Sequence, residues 1–424
     1  MVVGLWTLDV GPLDAVWNNQ PNHYRDAIHP IPPPGTKTPD FRLNFRKHLE
    51  LNYNHHIYLH PTDLPQSWDA IAQSSIFLQK EYLTALASSE PANVNNRFIA
   101  IFQDDRMIAV ALIQQIDLNQ LQTFGTRDHG LKIKVRDFLF KNFAGKLTIV
   151  GNNMLTGQHA IACSEGTNPS EILAYLKEKV LPEFPGQHIH ILKDFPAEEL
   201  PYFQQDIFKK SLKFTSQPSM CFSIKDAWSK EQDYVNALSK KYRDQYKRAR
   251  KKADGIEKRQ LSLSEIIEQE ERIYELYVHV AENAPFNTFF LAKNHFSALK
   301  ENMGDAFRFF AYFEAGKLVG FNTLFQHDEV LETYFLGYDP SIQKEKMLYL
   351  NMLYDMVACA IVNQFKHINF GRTAMEIKSS IGAVPVNMYG FMEHQYPWIN
   401  RYLSSIFQLL EPEVSWIQRH PFKD

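Results

Sequence analysis

Two stretches of the chain share one alternation of apolar and polar positions. Residues 97–114, "RFIAIFQDDRMIAVALIQ", and residues 308–326, "RFFAYFEAGKLVGFNTLFQ", align at a constant offset that matches Arg97 with Arg308, Phe98 with Phe309, Ala100 with Ala311, Phe102 with Phe313 and Arg106 with Lys317. Each predicts two strands around a tight turn, "QDDR" and "EAGK". Upstream of each lies a helical stretch with the same ending, "KEYLTAL" (80–86) and "KNHFSAL" (293–299). Downstream, "LTIVGN" and "TYFLGYD" predict strands that reach Gly151 and Gly337. The helical runs 171–184 and 351–365 then match Tyr175 with Tyr354, and the strands "HIHIL" and "HINF" follow. Recurrence of this kind predicts two copies of one unit. Even spacing on matched strands predicts that Phe98, Phe102, Phe309 and Phe313 point to one face of each sheet.

Each unit reads helix, hairpin, strand, helix, strand, then a helix or turn and one or two last strands. A single crossover helix predicts an α/β (α+β) fold, with a mixed, mostly antiparallel sheet per unit and one parallel pair beside the crossover. The boundary falls near residues 224–232. This gives a Pro- and aromatic-rich N-terminal extension at 1–52, a first unit at 53–226 and a second at 227–424 that opens with a basic helix.

At 424 residues the chain is long enough for two or three domains. With 45% hydrophobic and 22% charged residues it is globular, and a net charge of -3 gives no overall pull toward nucleic acid or membrane. Cys163, Cys221 and Cys359 lack zinc or disulfide spacing and read as core thiols of a reducing cytoplasm. The N-terminus carries Asp9 and Asp14 early, with no basic start and no cleavage pattern, and no apolar run approaches about 18 residues. A cytoplasmic protein is expected, with peripheral contact at the inner membrane surface as the variant. His56 and His60 stand one helical turn apart, and His188 and His190 share a strand face, but no third ligand completes a metal site. The chain has no G-x-S-x-G elbow, P-loop or G-x-G-x-x-G. Transfer between two bound substrates fits better than hydrolysis or nucleotide-linked redox chemistry.

Local chemistry concentrates in "HINFGRTAMEIKSSIGAVP" (367–385). Gly371 allows close backbone approach, and Arg372, with Thr373 beside it, offers a planar fork for phosphate or carboxylate. Lys378 is the candidate to stabilise an oxyanion. Glu376 either accepts a proton from an amine or holds Lys378 in place. The plain alternative is a surface network of Arg, Glu and Lys. A second concentration is residues 234–255, with an apolar stripe at Tyr234, Leu238, Tyr242 and Tyr246. Around it lie Lys240, Lys241, Arg243, Lys247, Arg248, Arg250, Lys251 and Lys252. Such a face suits a polyphosphate, a tRNA backbone or an anionic membrane, or it is simply solvated.

The order hairpin, strand ending in Gly, long helix, strand, in tandem copies, together with "LSKKYRDQYKRARKKADG" and "FGRTAMEIKSSIGAVP", resembles the GNAT acyltransferase fold as duplicated in the Fem-type peptidoglycan aminoacyltransferases and a bacterial FemAB-like group. The resemblance spans roughly residues 60–400. It implies that "HINFG" parts from its neighbour to make the cleft where donor and acceptor meet. It also implies a Tyr near the end of this strand that protonates a leaving group: Tyr338 is the candidate, with Tyr334 and Tyr349 as substrate-binding residues, and the plain alternative for all three is cleft wall or core. GNAT enzymes hold the coenzyme A pyrophosphate on a Gly-rich loop at the start of the crossover helix, whereas "YDPSIQKEKMLYLNML" has no glycine there. The first copy's "GNNMLTGQHAIACSEGTNPSE" has glycines without that spacing, and no helical-arm insertion is present. Fem enzymes lack a good version of this loop and use aminoacyl-tRNA. The expectation is therefore an acyl- or aminoacyltransferase that forms an amide on an amine, with no tightly bound cofactor and with acyl-CoA or aminoacyl-tRNA as co-substrate. The second unit is expected to be catalytic and the first structural or acceptor-binding. The acceptor is a small-molecule or peptidoglycan-precursor-like amine, and tRNA or an acyl carrier protein is the expected partner. The competing expectation is a non-catalytic module that binds RNA or an anionic membrane through residues 234–255.

Overall fold

The computed structural model describes residues 6–7, 53–120, 145–186, 188–283, 287–410 and 416–423. The described strands form a single sheet of fourteen. The first half contributes β1 (Trp6–Thr7), β2 (Tyr53–Tyr58), β3 (Val94–Gln103), β4 (Arg106–Asp117), β5 (Lys146–Val150), β6 (Ile161–Cys163), β7 (Ile189–Pro196) and β8 (Leu212–Ser223). The second contributes β9 (Ile256–Gln260), β10 (Phe307–Glu314), β11 (Lys317–His327), β12 (Val330–Tyr338), β13 (His367–Asn369) and β14 (Val384–His394).

Across the sheet the order is β2-β3-β4-β5-β7-β14-β8-β13-β12-β11-β10-β9, with β1 beside β8 and β6 beside β4. Read from either end, this is an edge strand, a hairpin, a third strand and its parallel neighbour. The parallel pairs are β5 with β7 and β12 with β13, as the crossover pattern predicts. The last strands are exchanged: β14 lies against β7 of the first half, β8 lies against β13 of the second, and β8 and β14 pair with each other. The two units therefore do not form two separate sheets, as the sequence pattern suggested, because each lends its final strand to the other. Most of the extension expected at 1–52 lies outside the described residues, apart from Trp6–Thr7, which pairs with Ser216 and Thr215.

The repetition extends to backbone detail. Both hairpins carry a bulge at the same place, between Ile101 and Phe102 and between Tyr312 and Phe313. Both turns hold a left-handed residue at the matched position, Asp104 (φ 47°) and Ala315 (φ 48°). Each crossover helix starts from an Asx-Pro-Ser cap, in which Asn168 accepts from the Ser170 N–H and Asp339 from the Ser341 N–H, with Pro at the first helical position. Phe98, Phe309 and Phe313 are buried in one core cluster and Phe102 packs against it, so these four share a face as expected. Across that cluster the matched helices α2 (Lys80–Ser88) and α8 (His295–Met303) pack together. The α1 helix is Trp68–Ala72. The first crossover helix is α3 (Pro169–Tyr175). Helices α4 (Glu231–Ala237), α5 (Lys240–Lys252), α6 (Leu263–Glu268) and α7 (Glu270–Glu282) precede α8. His295 joins the repeats, with Nδ1 2.9 Å from Ser89 Oγ and Nε2 2.9 Å from the Tyr334 hydroxyl.

Several local expectations are corrected. Gly151 and Gly337 are not equivalent: Gly337 pairs with Phe321, the match of Val110, whereas Gly151 lies opposite Leu112. His56 lies on strand β2, not on a helix with His60. The helical stripe from Tyr234 is broken after Ala237, where Leu238 is extended (ψ 141°) and bridges to Phe422. Tyr234, Leu238, Tyr242 and Ala249 are nevertheless buried on one core.

Candidate active site

Strand β12 pairs with β13 only over Val330–Glu332 against His367–Asn369. Beyond that rung β12 continues along β11 to Tyr338, while the chain after Asn369 turns toward β8, where the Met220 N–H donates to the Gly371 carbonyl at 3.0 Å. The two strands part there, in keeping with the cleft implied for "HINFG". The second crossover continues as α9 (Pro340–Lys346) and α10 (Leu348–Val362), joined by a left-handed Met347 (φ 50°).

The loop after β13 is conformationally unusual. Gly371 (φ 63°), Thr373 (φ 65°) and Ala374 (φ 48°) all lie in the left-handed region, which is costly for the latter two. What holds them is Lys378, on α11 (Met375–Ser379). Its Nζ donates to the carbonyls of Phe370 at 2.8 Å, Gly371 at 3.3 Å and Arg372 at 2.5 Å. Lys378 is only 4% exposed, and burial pushes its pKa down to about 7. It is therefore not an exposed cleft lysine. Its three N–H groups are spent on three carbonyls that the left-handed loop aims inward.

Arg372 is likewise turned into the protein. Its guanidinium pairs with Asp194 and donates to Ser216 Oγ at 2.9 Å and to the Gln217 carbonyl at 3.0 Å. The other Asp194 oxygen meets Lys193 Nζ at 2.7 Å, and all three groups are buried. Asp194 comes from β7 of the first half, so this ion triad ties the halves at the exchanged strands. It leaves Arg372 engaged by protein rather than presented to a substrate anion. Glu376 does not reach Lys378; it is exposed and pairs with Arg419, whose Nε lies 3.1 Å away.

The tyrosines divide. Tyr334 is a core residue bonded to His295, not cleft wall. Tyr338, at the free end of β12, and Tyr349, in the first turn of α10, are half-buried with ring centroids 6.3 Å apart. Burial raises both phenols. On α5, Lys241 and Lys247 are exposed and Arg243 half-buried. Arg250 is instead drawn inward to Asp355 Oδ1 (2.7 Å) and Glu231 Oε1 (2.5 Å), which removes it from the cationic face. This helix meets the C-terminal end of α11, where Gln245 Nε2 lies 3.3 Å from Ser380 Oγ.

Sequence reasoning passed over the rung at which the strands part. There Glu332 faces Asn369, with its side chain 12% exposed and its pKa pushed up to about 8 by burial. Asn369 is fixed by Ser219 Oγ at 2.5 Å, by the Gly371 N–H at 2.9 Å and by its own amide on the Thr156 carbonyl at 3.3 Å. From the first half, His159 Nε2 lies 4.0 Å from Glu332 Oε1 and 3.2 Å from the Thr156 carbonyl. The available signal was the loop "GNNMLTGQHA", whose Gly157 takes φ 106°.

Residues 240–379 match the Acetyltransferase (GNAT) domain family. None of the curated proteins matches the chain. Among solved structures, FemX aligns over 83% of this chain and 100% of its own, at 10% identity and TM-score 0.50. L-PGS from Bacillus licheniformis aligns over 83% and 97%, at 12% identity and TM-score 0.48. A tandem GNAT protein from the clavulanic acid biosynthesis pathway aligns over 80% and 98%, at 9% identity and TM-score 0.43. The segment that matches the Acetyltransferase (GNAT) domain family, residues 240–379, thus holds the parted β12 and β13, in a chain whose fold is similar to that of FemX.

Proposed function

We propose that the chain is an N-acyltransferase that moves an acyl or aminoacyl group onto an amine, with the chemistry in the second half. The observation that carries this reading is the parting of β12 from β13 after Glu332 and Asn369, inside the segment that matches the GNAT domain. Ends of parting strands are where a sheet exposes backbone and side chains to a bound substrate. The donor is better sought outside the usual coenzyme A mode. The N-terminus of α9, after β12, is already capped by Asp339, which takes 3.0 and 2.6 Å bonds from Ser341 and pairs with Arg272 at 2.6 Å. A pyrophosphate there would meet a carboxylate. The cationic face of α5, a helix that meets the end of α11, favours a donor that carries its acyl group on a polyanion, such as an aminoacyl-tRNA or an acyl carrier protein.

The test is a transfer assay in which purified protein is offered acetyl-CoA, an acylated carrier protein and a pool of charged tRNAs, each with small amines and a peptidoglycan-precursor peptide. Amide formation from at least one donor is expected. Failure with all three, together with salt-sensitive retention of RNA or of anionic vesicles, supports instead a non-catalytic polyanion-binding module.

A further inference from the structure

The repeat supplies an internal control for the parting rung. Ile149 faces Ile191 in the first half where Glu332 faces Asn369 in the second. These positions correspond because the hairpin ladders do: Glu332 pairs with Phe325 as Ile149 pairs with Gln114, the hairpin residue that matches Phe325. Ile149 and Ile191 are buried and carry no group that could hold a proton. At this rung the second half places a carboxylate where the first places an apolar side chain.

We infer that Glu332 is the group that receives the proton of the acceptor amine, and that His159 of the first half is its positioning residue. This rests on the transferase reading above. Geometry supports it in three respects. Glu332 is the last paired residue before the strands diverge, so its carboxylate borders the space that the parting creates. Asn369, locked by Ser219, Gly371 and Thr156, fixes the opposite wall. His159, held at the Thr156 carbonyl and edge-on to Phe77 at 4.8 Å, reaches Glu332 from the other half, so the site is complete only when both halves are assembled. The groups placed against it are His159 from the loop before β6, neutral Asn369 from β13, itself backed by Ser219 of β8, and apolar Phe325 from β11. In the step itself the amine nitrogen attacks the carbonyl carbon of an ester- or thioester-linked acyl group. The C–N bond forms as the nitrogen's proton passes to the Glu332 carboxylate. The tetrahedral species then expels the alkoxide or thiolate, which takes that proton back, leaving amide, free alcohol or thiol, and Glu332 as it began.

The carboxylate must be ionised to act, so kcat/KM should rise with pH along a limb near the raised value of about 8. With the donor that supports transfer, Glu332→Gln is expected to lower kcat/KM about a hundredfold or more and to abolish that limb, at an unchanged unfolding midpoint. Glu332→Asp, which keeps the acid but retracts it, serves if the Gln variant misfolds, and should retain the limb at reduced rate. His159→Gln should shift the limb upward while transfer persists, an effect that a merely structural histidine would not produce. Wild-type turnover in Glu332→Gln, or a limb that His159→Gln leaves in place, overturns the assignment and leaves the transferase reading standing. A wild type that transfers from no donor overturns both.

Discussion

The two halves of this molecule share a frame down to a bulge, a turn residue and a helix cap, yet differ where the third strand meets its parallel neighbour. In the first half the strand after the crossover, β7, carries Lys193 and Asp194 and runs on to Pro196; in the second, β13 stops at Asn369, and Arg372 and Thr373 fall in the loop beyond it. Both halves enter the left-handed region here, at Asp194 (φ 66°) and at Gly371 and Thr373 (φ 63° and 65°). The side chains have been divided between two tasks. One half supplies the anion that neutralises both cations, and the other keeps a loop whose carbonyls close on Lys378. Duplication preserved what hydrogen bonding and packing require and left the loop chemistry free to diverge.

Breaking the shared triad should have the largest effect. Asp194→Asn leaves Lys193 and Arg372 as buried cations without a counter-charge, and a loss of about 3–5 kcal/mol in urea unfolding is expected. A loss below about 1 kcal/mol would show that water reaches the seam. Lys378→Met comes next, at about 2–3 kcal/mol, because it orphans carbonyls held in a strained loop. This reverses the expectation for a surface lysine. The sign of its pH dependence is definite. Lys378 is depressed to about 7 in the folded protein, so between that value and the ordinary lysine range of about 10.4 the unfolded chain binds more protons and folding gains stability as pH rises. Wild type should show this rise above pH ~7, and Lys378→Met should show a smaller one, the remainder coming from Lys193, which burial also depresses. The smallest stability effect belongs to the cationic face of α5. Replacing Lys241, Arg243 and Lys247 together should move stability by no more than about 0.5 kcal/mol while flattening the salt dependence of polyanion binding. Arg250 is left out because its partners are Asp355 and Glu231.

The hairpins were legible because Phe98, Phe102, Phe309 and Phe313 alternate on strands with a buried face, and alternation survives divergence. The crossover helices were legible for a similar reason. The edge strands β2 and β9 were not: β9, "IEKRQ", is mostly exposed and charged, so nothing apolar marks it. Strand exchange was equally hidden, since an apolar run states that a strand is buried and not which neighbour buries it. At the site, the sequence located the segment around Gly371 but misjudged its side chains. Arg372 and Lys378 look like surface cations until Asp194 and three carbonyls, distant or backbone in origin, are brought to them. Glu332 went unnoticed because its neighbour Asn369 and its partner His159 lie far off in sequence.

Hydrogen–deuterium exchange with and without the active donor tests most directly whether the second half holds the chemistry. Slowed exchange is expected at residues 332–338 and 367–373, on both sides of the parting strands. Protection confined to the matched strand ends of the first half, residues 149–154 and 189–195, would contradict it.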